Sequence, residues 1–467
     1  MEIVPSTFLA LAAVLAMLLR GPYGAVSIFM ALMPFGAAAA FNLPALGGAS
    51  IGVADLGAVA ILGLVCLLPN SLERIAGTMR PWQPGFFLLL LALVCVIAAL
   101  FLPRIFAGQT EVFGISRSEG QIGIVRLPLT PGTGNITQLF RMVLGFLTFF
   151  ALATILRRKP DEGLVLSAMI TCTLVQFALG WIDVTAHAVG LPQILDPIRT
   201  ANYSLLTEAR MGGMKRMVGG FPEASSFGFL TLGLFGFWLQ VWIASPASRA
   251  APWMFAASTI LLVRSTSSAA YVAAAVFLVT FAVWTLLTRL RRTARRRSVA
   301  IAATTGMLFW VGALIVFGAY QLVSPVTEFL DNALFNKMGT SSGVERMSWN
   351  SQAWINFTDT LTFGAGLGSV RASSWFMACL GSIGLIGTGL YIAFLLSFLR
   401  LSAPPEPVLR TATLAGLKSG CLALLLSAML THATPDLGVI FFALSGLAAG
   451  LSRGALLESQ PSGNGIE

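Results

Sequence analysis

Ionisable residues are scarce in this chain, and the unusual ones gather in a few short segments. The segment Arg210-Met-Gly-Gly-Met-Lys215-Arg216-Met-Val-Gly-Gly-Phe-Pro222-Glu223-Ala-Ser225-Ser226 brings three cations close to one carboxylate, just before an apolar run. Pro222 suits a helix start, which sets Glu223 in a first helical turn. There it reads equally as a cap favoured by the helix dipole and as a general base or sugar-binding group. Arg264-Ser-Thr-Ser-Ser268 is wedged between two apolar runs. Its arginine either faces a polar cavity or reaches the headgroups. Segment 320–375 holds Lys337, Arg346, Trp349 and Trp354, and runs into Phe363-Gly-Ala-Gly-Leu-Gly368-Ser-Val-Arg371-Ala-Ser373-Ser374. No strand precedes these glycines and no P-loop lysine follows, so a nucleotide loop is excluded. Glycines that admit backbone to a phosphate, beside Arg371, suit a lipid-linked pyrophosphate better. His432-Ala-Thr-Pro-Asp436 supplies two further candidate bases, or an ordinary capped turn. Arg141 either lines the same cavity or snorkels. Asp55 and Asp183 read as boundary residues.

The elements that must hold these groups are membrane spans. The 467 residues are 56% hydrophobic and only 10% charged, with a mean hydropathy of +0.84. A soluble domain carries about 25% charged residues. The composition excludes a soluble, disordered or disulfide-scaffold chain and predicts an all-α, polytopic helical membrane protein. Apolar runs fall near 4–19, 24–40, 53–69, 84–102, 137–156, 164–183, 224–244, 252–263, 269–287, 299–319, 376–399, 412–431 and 437–452, which gives about 12–13 spans. Residues 1–457 read as a single integral membrane domain and 458–467 as a disordered cytoplasmic tail. The first run reads as a retained span, because no basic region precedes it.

The net charge of +10 could suggest a nucleic-acid partner. Its placement argues against one. Arg74 and Arg80, Arg157-Arg158-Lys159, Arg249, the block from Arg289 to Arg297, Arg400 with Arg410, and Arg453 fall on alternate loops. That alternation is the positive-inside signal of cytoplasmic loops. Loops 103–136, 184–223 and 320–375 then lie outside, and 103–136 has the makings of a small hairpin. Within 341–361, Met347, Trp354, Phe357 and Leu361 share one helical face, with Arg346 and Asn350 on another. This predicts a surface helix whose tryptophans are interfacial anchors or sugar platforms. Arg210, Lys215, Arg216, Arg264, Lys337, Arg346 and Arg371 all map outside, against the positive-inside trend, and so predict an anionic ligand there. No metal site is expected. The chain has two histidines, His187 and His432, no Asp-x-Asp, and five dispersed cysteines that read as buried hydrophobes.

Three of these segments resemble the O-antigen polymerase and ligase superfamily (Wzy-like and WaaL-like proteins), nearest its exopolysaccharide polymerase branch. They are Arg216-x-x-Gly-Gly-Phe-Pro-Glu223-x-Ser, Arg264-Ser-Thr-Ser-Ser, and Ser-Gly343-x-x-Arg346 through Gly368-Ser-x-Arg371-x-Ser-Ser. The resemblance implies a C-type membrane glycosyltransferase in the bacterial inner membrane, with its active site facing the periplasm and no cofactor. Donor and acceptor would be oligosaccharides on undecaprenyl pyrophosphate, with membrane lipid, a chain-length regulator and a flippase as further partners. Arg216, Arg264, Arg346 and Arg371 would hold the pyrophosphate. Many members carry His-Asn where Ser373-Ser374 stands here, which leaves the base unassigned among Glu223, His432 and Asp436 and weighs against the ligase alternative. A transporter or flippase of a lipid-linked or anionic sugar is the alternative of a different class. It would place charges at mid-depth on several helices and break helices in pairs.

Overall fold

The computed structural model describes residues 1–44, 49–116, 123–203, 205–211, 213–292, 321 and 341–460. It is a helical bundle with almost no sheet. Among the described residues, nine helical segments are long and apolar enough to cross a membrane, counting Pro5–Leu32 and Trp375–Leu399, each of which bends at an internal glycine; Val53–Cys66 and Ala251–Arg264 are shorter apolar helices. This is the architecture of a polytopic helical membrane protein. The apolar run at 299–319 and Lys337 lie outside the described residues, as does the end of the tail.

Helix boundaries follow the apolar runs closely. The run 224–244 is helix α8 (Ala224–Ala244) residue for residue. The runs at 53, 84, 137, 164, 252 and 269 become α2 (Val53–Cys66), α4 (Pro84–Leu100), α6 (Thr133–Arg158), α7 (Glu162–Ala188), α9 (Ala251–Arg264) and α10 (Ser268–Arg292), with the short helices α3 (Ser71–Ala76) and α5 (Leu102–Ile105) on either side of α4. After them come α11 (Ser341–Asp359), α12 (Trp375–Leu399), α13 (Val408–Thr431) and α14 (Gly438–Glu458). The expected hairpin in 103–136 is present, with strands Glu111–Ser116 and Gly123–Pro128 pairing antiparallel. Small residues let α14 lie directly on α6. A Cβ at Gly446, Gly450 or Gly454 would come within 2.6 Å of the backbone carbonyls of Phe149, Ala153 and Leu156.

Two helical elements reverse direction, and length arithmetic shows it. In α1 (Pro5–Leu32), Ala10 and Leu32 would stand about 33 Å apart on a straight helix. Instead they share one packed cluster. The turn is at Gly21, with φ 68 and ψ −179, a region reserved for glycine. The runs 4–19 and 24–40 are therefore two short antiparallel passes. The second stops at Leu32, and the chain continues into a short strand, Ala39–Leu43. In α12, Trp375 and Tyr391 would lie roughly 24 Å apart on a straight helix, yet their ring centroids are 5.0 Å apart. That turn is at Gly384, with φ 65 and ψ −166. The run 376–399 is thus one nine-residue arm, 375–383, folded back on a longer one.

The bundle has two distinct ends. One gathers residues near 33–55, 141, 201–226 and 431–440 around a cavity. The other gathers Thr78, Trp82, Arg157, Arg400 and Arg453, which come from loops that the arginine bias assigns to one side.

Candidate functional site

The cavity has a volume of about 440 Å³, within the usual range of ligand pockets. Helix ends and one long loop build its walls. Asp55 stands in the first turn of α2, where it accepts a 2.9 Å hydrogen bond from the Gly52 N–H, closing the helix start while facing the cavity. Arg141 reaches in from the third turn of α6. Glu223 occupies the N-cap position of α8 in extended geometry, and its side chain makes no cap bond. Its carboxylate accepts from the Ser225 hydroxyl instead. His432 ends α13, and Asp436 follows in the turn to α14, accepting a 2.8 Å bond from the Gly438 N–H. Tyr203 closes one side, with its hydroxyl on the Gly36 carbonyl at 2.7 Å.

Glu223, His432, Asp436 and Arg141 therefore line one cavity, although the sequence separates them by up to three hundred residues. Asp55, Tyr203, Ser225 and Ser226 join them. The cavity electrostatics are mixed. Burial raises the Asp436 carboxyl above the ordinary carboxylate range, while the Gly438 N–H and Arg141 pull it back and Asp55 pushes it further up. Burial pushes the His432 imidazole down to about 4, so it is neutral at neutral pH. It rests against Phe229 with ring centroids 4.7 Å apart. Burial likewise raises the Tyr203 phenol, with Arg141 opposing it. A neutral imidazole, a carboxyl inclined to hold its proton and further carboxylates together can move a proton to or from a bound hydroxyl.

A cation cluster adjoins the cavity at Glu223. Arg216 lies close enough to Glu223 and Tyr271 for both to favour its charge, and burial opposes that charge. Its Nε is buried and has no hydrogen-bond partner among the described residues. Arg264, at the last turn of α9, donates from Nη1 to the Lys215 carbonyl at 3.0 Å, which ties α9 to the same loop. Arg210 and Lys215 pair across a two-residue hairpin, with Arg210 exposed and Lys215 buried.

Asp183 corrects the reading of a boundary residue. Its side chain is 2% exposed, and it accepts from Arg199 Nη2 at 2.6 Å, from Lys215 Nζ at 2.5 Å and from the N–H groups of Val218 and Gly219 at 2.8 and 3.2 Å. Arg199 also grips the Gly219 carbonyl. This buried knot fixes the loop that presents Arg216 and Glu223. Lys215, predicted as a ligand cation, is engaged within it.

The late segment forms the neighbouring wall. Arg371 is exposed and lies over the Trp349 ring at 5.7 Å. The Asn350 side-chain oxygen accepts from the Ser373 N–H at 2.8 Å, and Ser374 is the N-cap of α12. The Ala372 N–H bonds the Ala433 carbonyl at 3.2 Å, joining this wall to the His432 turn. Arg346 is half-buried on α11, the expected surface helix, with Met347, Trp354 and Leu361 outward and Gln352 and Asn356 bonded inward to the Glu111 carbonyl. Phe357, expected to share one face with Met347, Trp354 and Leu361, is buried where they are exposed.

The glycine motif does not open to a ligand, contrary to expectation. A Cβ at Gly364, Gly366 or Gly368 would strike Gly384, Pro103 or Gly134 at 2.7, 2.4 or 2.3 Å. All three have positive φ, so they are glycines because other parts of the protein press against them. Asn135 clamps the motif by donating to the Leu367 carbonyl at 2.7 Å and to the Ser369 hydroxyl at 2.8 Å.

Some of what the residue patterns missed left a trace. Gly52-x-x-Asp55 has the spacing of a helix start. Asp183, Arg199 and Asn135 have no local signature, because their partners lie far along the chain. No protein-family model and no curated protein matches this chain.

Proposed function

We propose that the protein is a membrane glycosyltransferase of the polysaccharide polymerase (Wzy-like) type. It joins oligosaccharide repeat units carried on undecaprenyl pyrophosphate at the periplasmic face of the bacterial inner membrane. The observation that carries this reading is the meeting of a mixed-charge cavity with a cation cluster at Glu223, which lines the cavity and interacts with Arg216. Glycosyl transfer builds negative charge on the leaving group. Arg216 and Arg264, with Arg371 on the adjoining wall, suit the pyrophosphate, and arginine's planar fork matches its oxygens. The acceptor hydroxyl oxygen bonds to the anomeric carbon as the bond from that carbon to the pyrophosphate oxygen breaks. The hydroxyl proton passes to a cavity carboxylate, and the lipid diphosphate departs as an anion. Glu223 is the preferred base, because it stands beside the cation that would hold the leaving group.

Arg216→Ala, Arg264→Ala and Arg371→Ala are expected to abolish polymer at unchanged protein level. Normal polymer length in all three would refute the reading. A ligase would leave long lipid-linked polymer when deleted, whereas a polymerase leaves single repeat units. The reversals at Gly21 and Gly384 favour a second reading, a transporter or flippase of lipid-linked saccharide, because discontinuous helices are a transporter device. Elongated product from purified protein and lipid-linked units, with no membrane gradient, eliminates it.

A further inference from the structure

At the end of the bundle away from the cavity, arginines are handled in two ways. Arg410 is answered by carboxylates, with Glu162 on Nε at 2.9 Å and Glu458 on Nη1 at 2.9 Å. Arg157, Arg400 and Arg453 converge instead on a second cavity of about 210 Å³ whose lining, among the described residues, holds no acidic residue. Nε of Arg157 and Nε of Arg453 are buried and lack hydrogen-bond partners among the described residues. Arg157 donates from Nη1 to the Arg74 carbonyl at 3.1 Å, and Arg453 and Arg80 stand near enough to repel it.

Positive loops that only set topology need no shared hollow, because each side chain can snorkel to the headgroups separately. Three guanidinium groups held around one concavity repel one another unless an anion sits between them. The remaining surface suits an amphiphile. Phe149 and Leu456 supply an apolar floor and Trp82, 81% exposed, stands at the rim. Tryptophan is favoured at the membrane–water boundary, and basic pockets between membrane helices take anionic headgroups.

We propose that this cavity is a binding site for a phosphoryl anion, with the Arg157, Arg400 and Arg453 guanidinium groups as its donors. The anion comes from a lipid headgroup or from soluble phosphate, and the site is separate from the cavity at the opposite end. The test uses the full-length protein, delipidated in neutral detergent. It is titrated with phosphatidylglycerol, with phosphatidylcholine and with inorganic phosphate, reading bound lipid by native mass spectrometry and protection by thermal shift. Retention of phosphatidylglycerol over phosphatidylcholine identifies a lipid headgroup. Protection by inorganic phosphate alone identifies the soluble anion. In either case Arg453→Gln and Arg400→Gln each weaken binding about tenfold, the loss expected for one charge-assisted contact. Arg400 is exposed at the end of its helix, so Arg400→Gln keeps the test alive if Arg453→Gln fails to fold. Equal retention of both lipids with no effect of phosphate overturns the proposal, as does unchanged binding in Arg400→Gln.

Discussion

The two ends of the bundle solve opposite electrostatic problems. At the cavity end, acids and bases are mixed, and the deepest of them is locked: Asp183 answers Lys215, Arg199 and two backbone N–H groups at once. At the arginine end, charge of one sign accumulates, and the answered residue, Arg410, sits beside three that share a hollow without an acid. The difference shows that arginine number carries little information by itself. What matters is whether the fold supplies the counter-charge or leaves it to come from outside.

The largest test of that contrast is Asp183→Ala. It strands two nearly buried cations, Lys215 and Arg199, and should cost about 3–5 kcal/mol, the usual loss when one partner of a buried pair is removed. The fall should be visible as a lower unfolding temperature in detergent. Stability within 1 kcal/mol of the parent, on that order, would mean the knot is no more than a surface pair. Next come the two reversals: Gly384 packs on the late segment beside the cavity, and Gly21 lies two residues from Tyr23, whose ring meets Lys159 at the arginine end. Gly384→Ala must place a Cβ 2.3 Å from the Phe363 carbonyl in a glycine-only backbone region, whereas Gly21→Ala meets nothing within 4 Å. Both should lose about 1–3 kcal/mol from backbone strain, with Gly384→Ala clearly the worse. Equal losses would show that the cavity end is no more tightly built than the other.

A pH titration separates the ends further. The His432 imidazole has a folded pKa of about 4 against an ordinary 6.5. Between those values the unfolded chain binds a proton that the folded chain refuses. Its contribution to stability is therefore complete above about 6.5 and falls away as pH drops toward about 4. Asp436 acts in the opposite sense, because its raised pKa relieves the folded state on acidification. His432→Gln should flatten the acid-side fall in unfolding temperature. An identical profile in parent and variant would remove His432 from the site's buried set. The smallest effect is expected from Arg410→Gln, whose Glu458 partner is half exposed: about 1 kcal/mol or less, and weaker still in high salt. A large loss there would make the arginine end as interlocked as the cavity end.

Much of this was legible in the residues, and the exceptions share one cause. Hydropathy gave the boundaries of α8 residue for residue, because a lipid-length run has little alternative to a helix. It was blind to direction, so a run such as 376–399 reads the same straight or folded at Gly384. Glu223, His432, Asp436 and Arg141 stood out as polar groups at the edges of apolar runs, and they do share a cavity. Asp183 stands at such an edge too, yet nothing local distinguishes a carboxylate facing headgroups from one facing Lys215. The glycines at 364, 366 and 368 announced a tight backbone without saying what presses on it.

The reversal at Gly21 also fixes which end of the bundle holds the first residues. Glu2 bridges to Asn42, and the hydroxyls of Ser6 and Thr7 bond the carbonyls of Ala39 and Ala40. Two antiparallel passes return the chain to where it set out. Segment 5–32 therefore begins and ends at the cavity end of the bundle. A reporter fused ahead of Glu2 and one inserted near Ser50 should light up together, on the cavity side.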